Sequence, residues 1–225
     1  MTSFNPQIAP VDSIAGEDAV DPSRLNISWI RSRFNAPPIW QPESTDEQRL
    51  FLLKNIGFKS AAVLIGLVQR EHGLNILFTR RTAHLSQHAG QISFPGGGAE
   101  LQDRDVVETA LRESQEEVGL DPSRVEVLGR LPDYYTLTGY CVAPVVAAIA
   151  DLGELISDQN EVAEIFEVPL AFLMDGRHHQ RRSLVMNTPE HQGLHRIFYA
   201  MPYQDYFIWG VTAGMLRNLF HFLRA

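Results

Sequence analysis

Glu113, Glu116 and Glu117 have the type and spacing to do chemistry together. They lie in Ala110-Leu111-Arg112-Glu113-Ser114-Gln115-Glu116-Glu117-Val118-Gly119-Leu120, downstream of the run Phe94-Pro95-Gly96-Gly97-Gly98. On a helix of about 3.6 residues per turn the three carboxylates fall within an arc of roughly 100°. Val107, Ala110, Leu111, Ser114 and Val118 gather near the opposite side as a core stripe. Carboxylates this close repel one another, so a fold that sets them in a cleft must bring a cation. An all-oxygen set suits Mg²⁺ or Mn²⁺ rather than Zn²⁺. Taken alone, R-E-x-x-E-E reads as a solvated acidic face that Arg112 relieves through i,i+4 pairs with Glu108 and Glu116. The glycine run shifts the balance, because it lets backbone approach a ligand closely and offers carbonyls or N–H groups without side-chain obstruction.

These residues resemble the Nudix hydrolase signature, G-x5-E-x7-R-E-U-x-E-E-x-G-U with U aliphatic. Arg112-Glu113, Glu116-Glu117 and Gly119-Leu120 match its second half, and Ser114 departs at the first aliphatic position. Counted from Gly98, Arg104 occupies the glutamate site; counted from Gly97, Asp103 falls at the acid position with one residue extra before Arg112. The longer spacing is similar to the coenzyme A pyrophosphatase branch, which also carries L-L-T-x-R-[SA]-x3-R-x3-G-x3-F-P-G-G upstream. Here that run reads Leu77-Phe78-Thr79-Arg80-Arg81-Thr82, then Gly90, then Phe94-Pro95-Gly96-Gly97. Ser86 stands at the branch's second arginine, and serine cannot replace a charge that would grip phosphate bidentately. Thr138-Gly139-Tyr140, Asn160-Glu161-Val162, Val168-Pro169-Leu170 and Phe207-Ile208-Trp209-Gly210-Val211-Thr212-Ala213 extend the resemblance from Ser60 to Phe222.

The resemblance implies an α/β (α+β) fold, a Nudix-type α/β/α sandwich with a mixed sheet between helices. It implies hydrolysis of the pyrophosphate bond in a nucleoside diphosphate derivative. For coenzyme A or an acyl-CoA the products would be adenosine 3′,5′-bisphosphate and 4′-phosphopantetheine. A diphosphate sugar or dinucleotide is the alternative substrate, and a module that binds nucleotide without hydrolysis is the alternative class. Mg²⁺ or Mn²⁺ would be held by Glu113, Glu116 and Glu117, with the Gly97 carbonyl. Arg112 would orient the helix carboxylates, and the general base would be Glu161, from a loop, or Glu116. Arg80, Arg81, His84 and His88 are candidates for the substrate's phosphate or adenine. Two such domains are expected to pair as a homodimer.

The elements that must position these groups follow from pattern. Residues 1–43, with Pro6, Pro10, Pro22, Pro37, Pro38 and Pro42, show no sustained period and read as a tail and irregular lead-in to a domain spanning 44–225. Ser44-Thr45-Asp46-Glu47 reads as a capping box opening a short helix through Leu53. Ser60–Gln69 and Leu74–Thr79 are β-rich runs about the turn Glu71-His72-Gly73 and predict a hairpin. The carboxylate helix should run from Asp103 to Val118, with Gly119 as its cap. Arg124–Leu131, Ala143–Ala150 and Glu161–Val168 read as strands, the second too apolar to face water. Ile197–Tyr199 and Tyr206–Trp209 are short strand-like pieces before a closing helix from Val211 to Leu223. His178, His179, Arg181 and Arg182 read as a polar surface loop.

Composition bounds the rest. The 225 residues carry a formal charge of −8 and 44% apolar side chains, enough for a packed core and against a general nucleic-acid binder, which needs a basic face. The single cysteine, Cys141, excludes an internal disulfide and reads as a small packed hydrophobe. With no basic-then-apolar leader and no membrane-length apolar run visible, the chain reads as cytoplasmic.

Overall fold

The computed structural model describes residues 5–43, 57–83, 90–136, 138–188 and 191–225, with backbone alone between 184 and 196. The expected capping-box helix, along with Ser86, His84 and His88, lies outside the described residues. In chain order come β1 (Val11–Ile14), α1 (Ile27–Asn35), β2 (Lys59–Arg70), β3 (Gly73–Arg81), β4 (Ile92–Ser93), β5 (Gly96–Gly98) and α2 (Val106–Val118). There follow β6 (Val125–Arg130), β7 (Tyr134–Tyr135), β8 (Tyr140–Ile149), β9 (Val162–Pro169), the one-turn α3 (Leu170–Leu173), β10 (Gln180–Thr188), β11 (His191–Tyr203), β12 (Tyr206–Trp209) and α4 (Gly210–Arg224).

The main sheet is mixed. β2 runs parallel to β8 on one edge and antiparallel to β3 on the other, with β6 and β7 beyond β8 and β4 and β9 beyond β3. Alternation along β2 decides which layer each side chain joins. Ala61, Ile65 and Leu67 enter the core beneath α1 and α4, whereas Ala62, Leu64 and Val68 meet Ala110 and Val118 of α2. Helices therefore cover both faces, giving the α/β/α sandwich. β8 is buried on both faces from Val142 onward, as its apolar run predicts.

One edge of β2 is shared, and this positions the site. Its far half pairs with β3 (Leu67↔Ile76 to Arg70↔Gly73), closing the expected hairpin, while its near half pairs with the glycines of β5 (Ala61↔Gly98 to Val63↔Gly96). The glycine run is thus a strand wedged where β3 diverges. Gly96, at φ 151°, has no room for a side chain: a Cβ would lie 2.4 Å from the Ala62 carbonyl oxygen.

Four readings need correction. Helix α2 starts at Val106 rather than Asp103, because the Asp105 side chain caps it by accepting from the Val107 and Glu108 N–H groups, each at 2.9 Å. The irregular lead-in contains α1, capped by Asn26 and buried through Ile30, with Phe34 against Phe222 at 4.5 Å. The supposed polar loop at 178–182 leads into β10 of a second sheet ordered β1-β10-β11-β12, and two of its members are interior. His179 is fully buried and shares its ring nitrogens between the Leu173 carbonyl (2.8 Å) and Arg217 (3.0 Å). Arg182 donates to the carbonyls of Ala9 (2.7 Å) and Gln7 (2.9 Å). Cys141, second residue of β8, is half-buried rather than packed away.

Candidate active site

Helix α2 lays its apolar stripe on β2, which swings its glutamates toward β5 and the start of β9. The acidic arc is graded in depth: Glu117 is buried (5% exposed), Glu113 mostly covered (17%) and Glu116 open to solvent (60%). Ser114, the departure from the aliphatic pattern, is fully buried, and its hydroxyl donates to the Ala110 carbonyl at 2.7 Å. The hydroxyl is thus satisfied inside the helix.

Glu117 Oε2 accepts from the Gly96 N–H at 3.0 Å, and its other oxygen is 3.4 Å from Arg81. Burial pushes the Glu117 carboxyl up to about 7; Gly96 and Arg81 oppose this, while Glu161 and Glu113 add to it. Burial also raises Glu113, opposed by Arg112 and reinforced by Glu116 and Glu161. A Cβ on Gly97 would sit 2.4 Å from a Glu113 carboxylate oxygen, so the glycine keeps that carboxylate's space open.

Arg112 is anchored rather than free. It grips Asp103 with Nε and Nη2 at 2.9 and 3.0 Å, donates to the Gly98 carbonyl at 3.0 Å, and turns Nη1 to Glu113 (3.0 Å) and Glu116 (3.1 Å). Its hydrogen bonds hold Asp103 well below the usual carboxylate range. Glu108 pairs with Arg104 instead, so the i,i+4 contact expected from Arg112 to Glu108 is not made.

Glu161 comes from a loop that the structure ties at both ends. The N–H groups of Ile156 and Asp158 donate to the Val118 and Glu117 carbonyls at the end of α2. On the other side, Thr82 donates through its N–H to the Glu161 carbonyl (2.9 Å) and through its hydroxyl to Asn160 (3.0 Å). The Glu161 carboxylate lies 3.6 Å from Arg81, facing Glu117 across the guanidinium. Arg80 goes the other way: it pairs with Glu164 at 3.2 Å and lies over the Tyr206 ring. An open pocket of about 430 Å³ on that side is lined by Arg80, Gln91, Phe207 and Trp209 and contains none of the helix carboxylates. The structure therefore gathers Glu113, Glu116, Glu117, Glu161, Arg81 and Arg112 about the β5 glycines and leaves Arg80 apart. Sequence pattern does not single out the Gly96 N–H as a partner of Glu117; its only signal is its place in the glycine run.

The donor set fits a hard divalent cation: oxygen ligands only, one of them buried and ill-compensated. Among the described residues no three carboxylates converge on one point; Arg81 pairs with both Glu117 and Glu161, and Arg112 with both Glu113 and Glu116.

The NUDIX domain profile matches residues 58–187, and with the carboxylate helix set against the glycine strand the chain belongs to the Nudix hydrolase family, whose members act on acid anhydrides in phosphorus-containing compounds and generally need divalent metal ions. It is 37% identical over 201 residues to "Uncharacterized Nudix hydrolase NudL" of Salmonella newport, a match covering 89% of this chain and 96% of that one. The same protein of Salmonella typhimurium is equally similar, at 37% over 201 residues. Among solved structures, the Nudix hydrolase RenU of M. smegmatis aligns at TM-score 0.43 and 22% identity over 51% of this chain and 73% of that one. A C. elegans Ap4A hydrolase aligns at 0.43 and 16% over 49% and 80%. No helix among the described residues is long and apolar enough to cross a membrane.

Proposed function

We propose that the chain hydrolyses the pyrophosphate bond of a nucleoside diphosphate derivative, with coenzyme A or an acyl-CoA as the favoured substrate. Products would be adenosine 3′,5′-bisphosphate and 4′-phosphopantetheine. The observation that carries the hydrolase reading is the buried, under-neutralised Glu117 beside Glu113 and Glu161; a binding module would have no use for that cost. The coenzyme A preference rests on the run from Leu77 to Gly97. Mg²⁺ or Mn²⁺ bound by Glu113, Glu116 and Glu117, with the Gly97 carbonyl, would polarise phosphoryl oxygens and acidify a bound water. Glu161, held by the Thr82 contacts, takes the proton of the attacking water. Arg112 fixes Glu113 and Glu116 from its Asp103 anchor. Arg81 and His88 meet the substrate phosphates. The charge of −8 speaks against nucleic acid, and the lone cysteine suits a reducing cytoplasm. A homodimer completes the reading.

The test is a panel of diphosphate compounds incubated with the purified chain and Mg²⁺ or Mn²⁺, with products identified by mass spectrometry. Cleavage of coenzyme A at the pyrophosphate is expected, with Ser86→Arg lowering its KM. Cleavage of diphosphate sugars or dinucleotides alone would move the substrate, and no cleavage of any compound would remove the enzyme.

A further inference from the structure

Arg80 and Arg81 are neighbours with different surroundings. Arg81 projects into the carboxylate cluster, three-quarters covered, with one nitrogen 3.4 Å from Glu117 and the other 3.6 Å from Glu161. Both separations are long beside the 2.9–3.0 Å grip of Arg112 on Asp103. Arg112 is locked by a carboxylate that lies off the acidic face, whereas Arg81 touches that face through looser pairs. A buried carboxylate needs a positive neighbour, and Glu117 meets Arg81 where a cation would serve the same need.

We propose that Arg81 is a stand-in cation. In the metal-free protein it neutralises Glu117 and holds Glu161 in position; a divalent ion at Glu117 displaces it, and the released guanidinium turns to the substrate's phosphates. Arg81 and the metal thus compete for one carboxylate, and metal uptake prepares the phosphate site. This inference rests on the metal-hydrolase reading above. It makes Arg81 a positioning residue before metal arrives and a binding residue afterwards.

The competition gives two changes of opposite sign. In the metal-free chain, Arg81→Gln should tighten Mn²⁺ binding, measured by calorimetric titration, by about 5- to 10-fold, since a repelling charge a few ångströms away is removed. The same variant should raise the KM for the diphosphate substrate by about 10-fold, through loss of a charge-assisted phosphate contact. Damage to the fold would worsen both quantities together. The melting temperature of the variant should fall without metal and return toward wild type with Mn²⁺. Arg81→Met, which also removes the charge, serves if the glutamine variant does not fold; it too should bind Mn²⁺ more tightly than wild type. Unchanged or weaker Mn²⁺ binding in a folded Arg81 variant overturns the proposal. Glu117→Gln separates this failure from a deeper one: if it binds Mn²⁺ as wild type does, the metal-site reading itself is wrong.

Discussion

Arg217 and Arg112 both sit among carboxylates, but around Arg217 the charges close on themselves. Arg217, 2% exposed on α4, pairs with Glu17 (2.8 Å) and Glu43 (2.5 Å), and His221 adds a contact to Glu43 at 3.1 Å. His179 completes the cluster as a neutral ring, its affinity for a proton lowered to about 4 by burial. Against the upward push of burial, hydrogen bonds from His221 and Arg217 bring Glu43 down to about 2. That cluster clasps the N-terminal segment to the last helix and asks for nothing more. Around α2, ion pairs among the described residues join two guanidiniums, Arg81 and Arg112, to six carboxylates: Glu100, Asp103, Glu113, Glu116, Glu117 and Glu161. There Glu117, the buried member of the helix face, is pushed up to about 7, while Asp103, as well covered, is held low by its hydrogen bonds to Arg112. A closed ion cluster holds a fold together; an open one holds a place for a ligand.

The comparison breaks first at Glu117. Glu117→Gln keeps size and removes charge, so metal-dependent turnover should drop to background while circular dichroism stays unchanged. Next, Glu161→Gln should lower kcat by about 10²–10⁴-fold, with metal affinity nearly constant. Loss of metal binding along with rate would make Glu161 a ligand and move the base to Glu116. In the closed cluster the effect should be on stability alone. Arg217→Met strands two carboxylates and should cost about 3–5 kcal/mol in denaturant unfolding, leaving kcat per folded molecule unaltered.

Acid titration of the metal-free protein sharpens the contrast with the smallest effect, because the two glutamates act in separate windows. Glu43, ordinarily at 4.5 and brought to about 2 on folding, contributes stability above pH 4.5 that drains away as pH falls toward 2. Glu117, raised from 4.5 to about 7, binds a proton more readily when folded, so between these values its contribution to stability falls as pH rises. The slope from pH 4.5 to 7 attributable to Glu117 should vanish in Glu117→Gln, and the slope below 4.5 should remain. A loss of the lower slope instead would mean the two sites are coupled.

Much of the site was legible because its parts are close in sequence or follow a period. The stripe of Val107, Ala110, Leu111 and Val118 located α2 and therefore the acidic face, and Gly119 at φ 71° closes the helix as expected. What pattern could not reveal was depth: Glu117 lies on the same arc as Glu116, yet strand β5 covers one and solvent meets the other. Arg182 and His179 misled for a related reason. Their long-range partners, the Ala9 carbonyl and the Arg217 side chain, come from segments distant in the chain, so local polarity imitated a surface loop. Helix α1 did leave a trace, Ile27, Ile30 and Phe34 at helical spacing behind Asn26, but nine residues among prolines are too few for a period to stand out.

The open cluster should be closed by metal, and thermal unfolding at pH 7 with and without Mn²⁺ measures this directly. A ligand that binds only the folded state raises the melting temperature in step with its concentration. Wild type should show that rise, Arg217→Met should show it from a lower starting point, and Glu117→Gln should show none. Equal stabilisation of wild type and Glu117→Gln by Mn²⁺, or none in either, would contradict the assignment of the α2 carboxylates as the metal site.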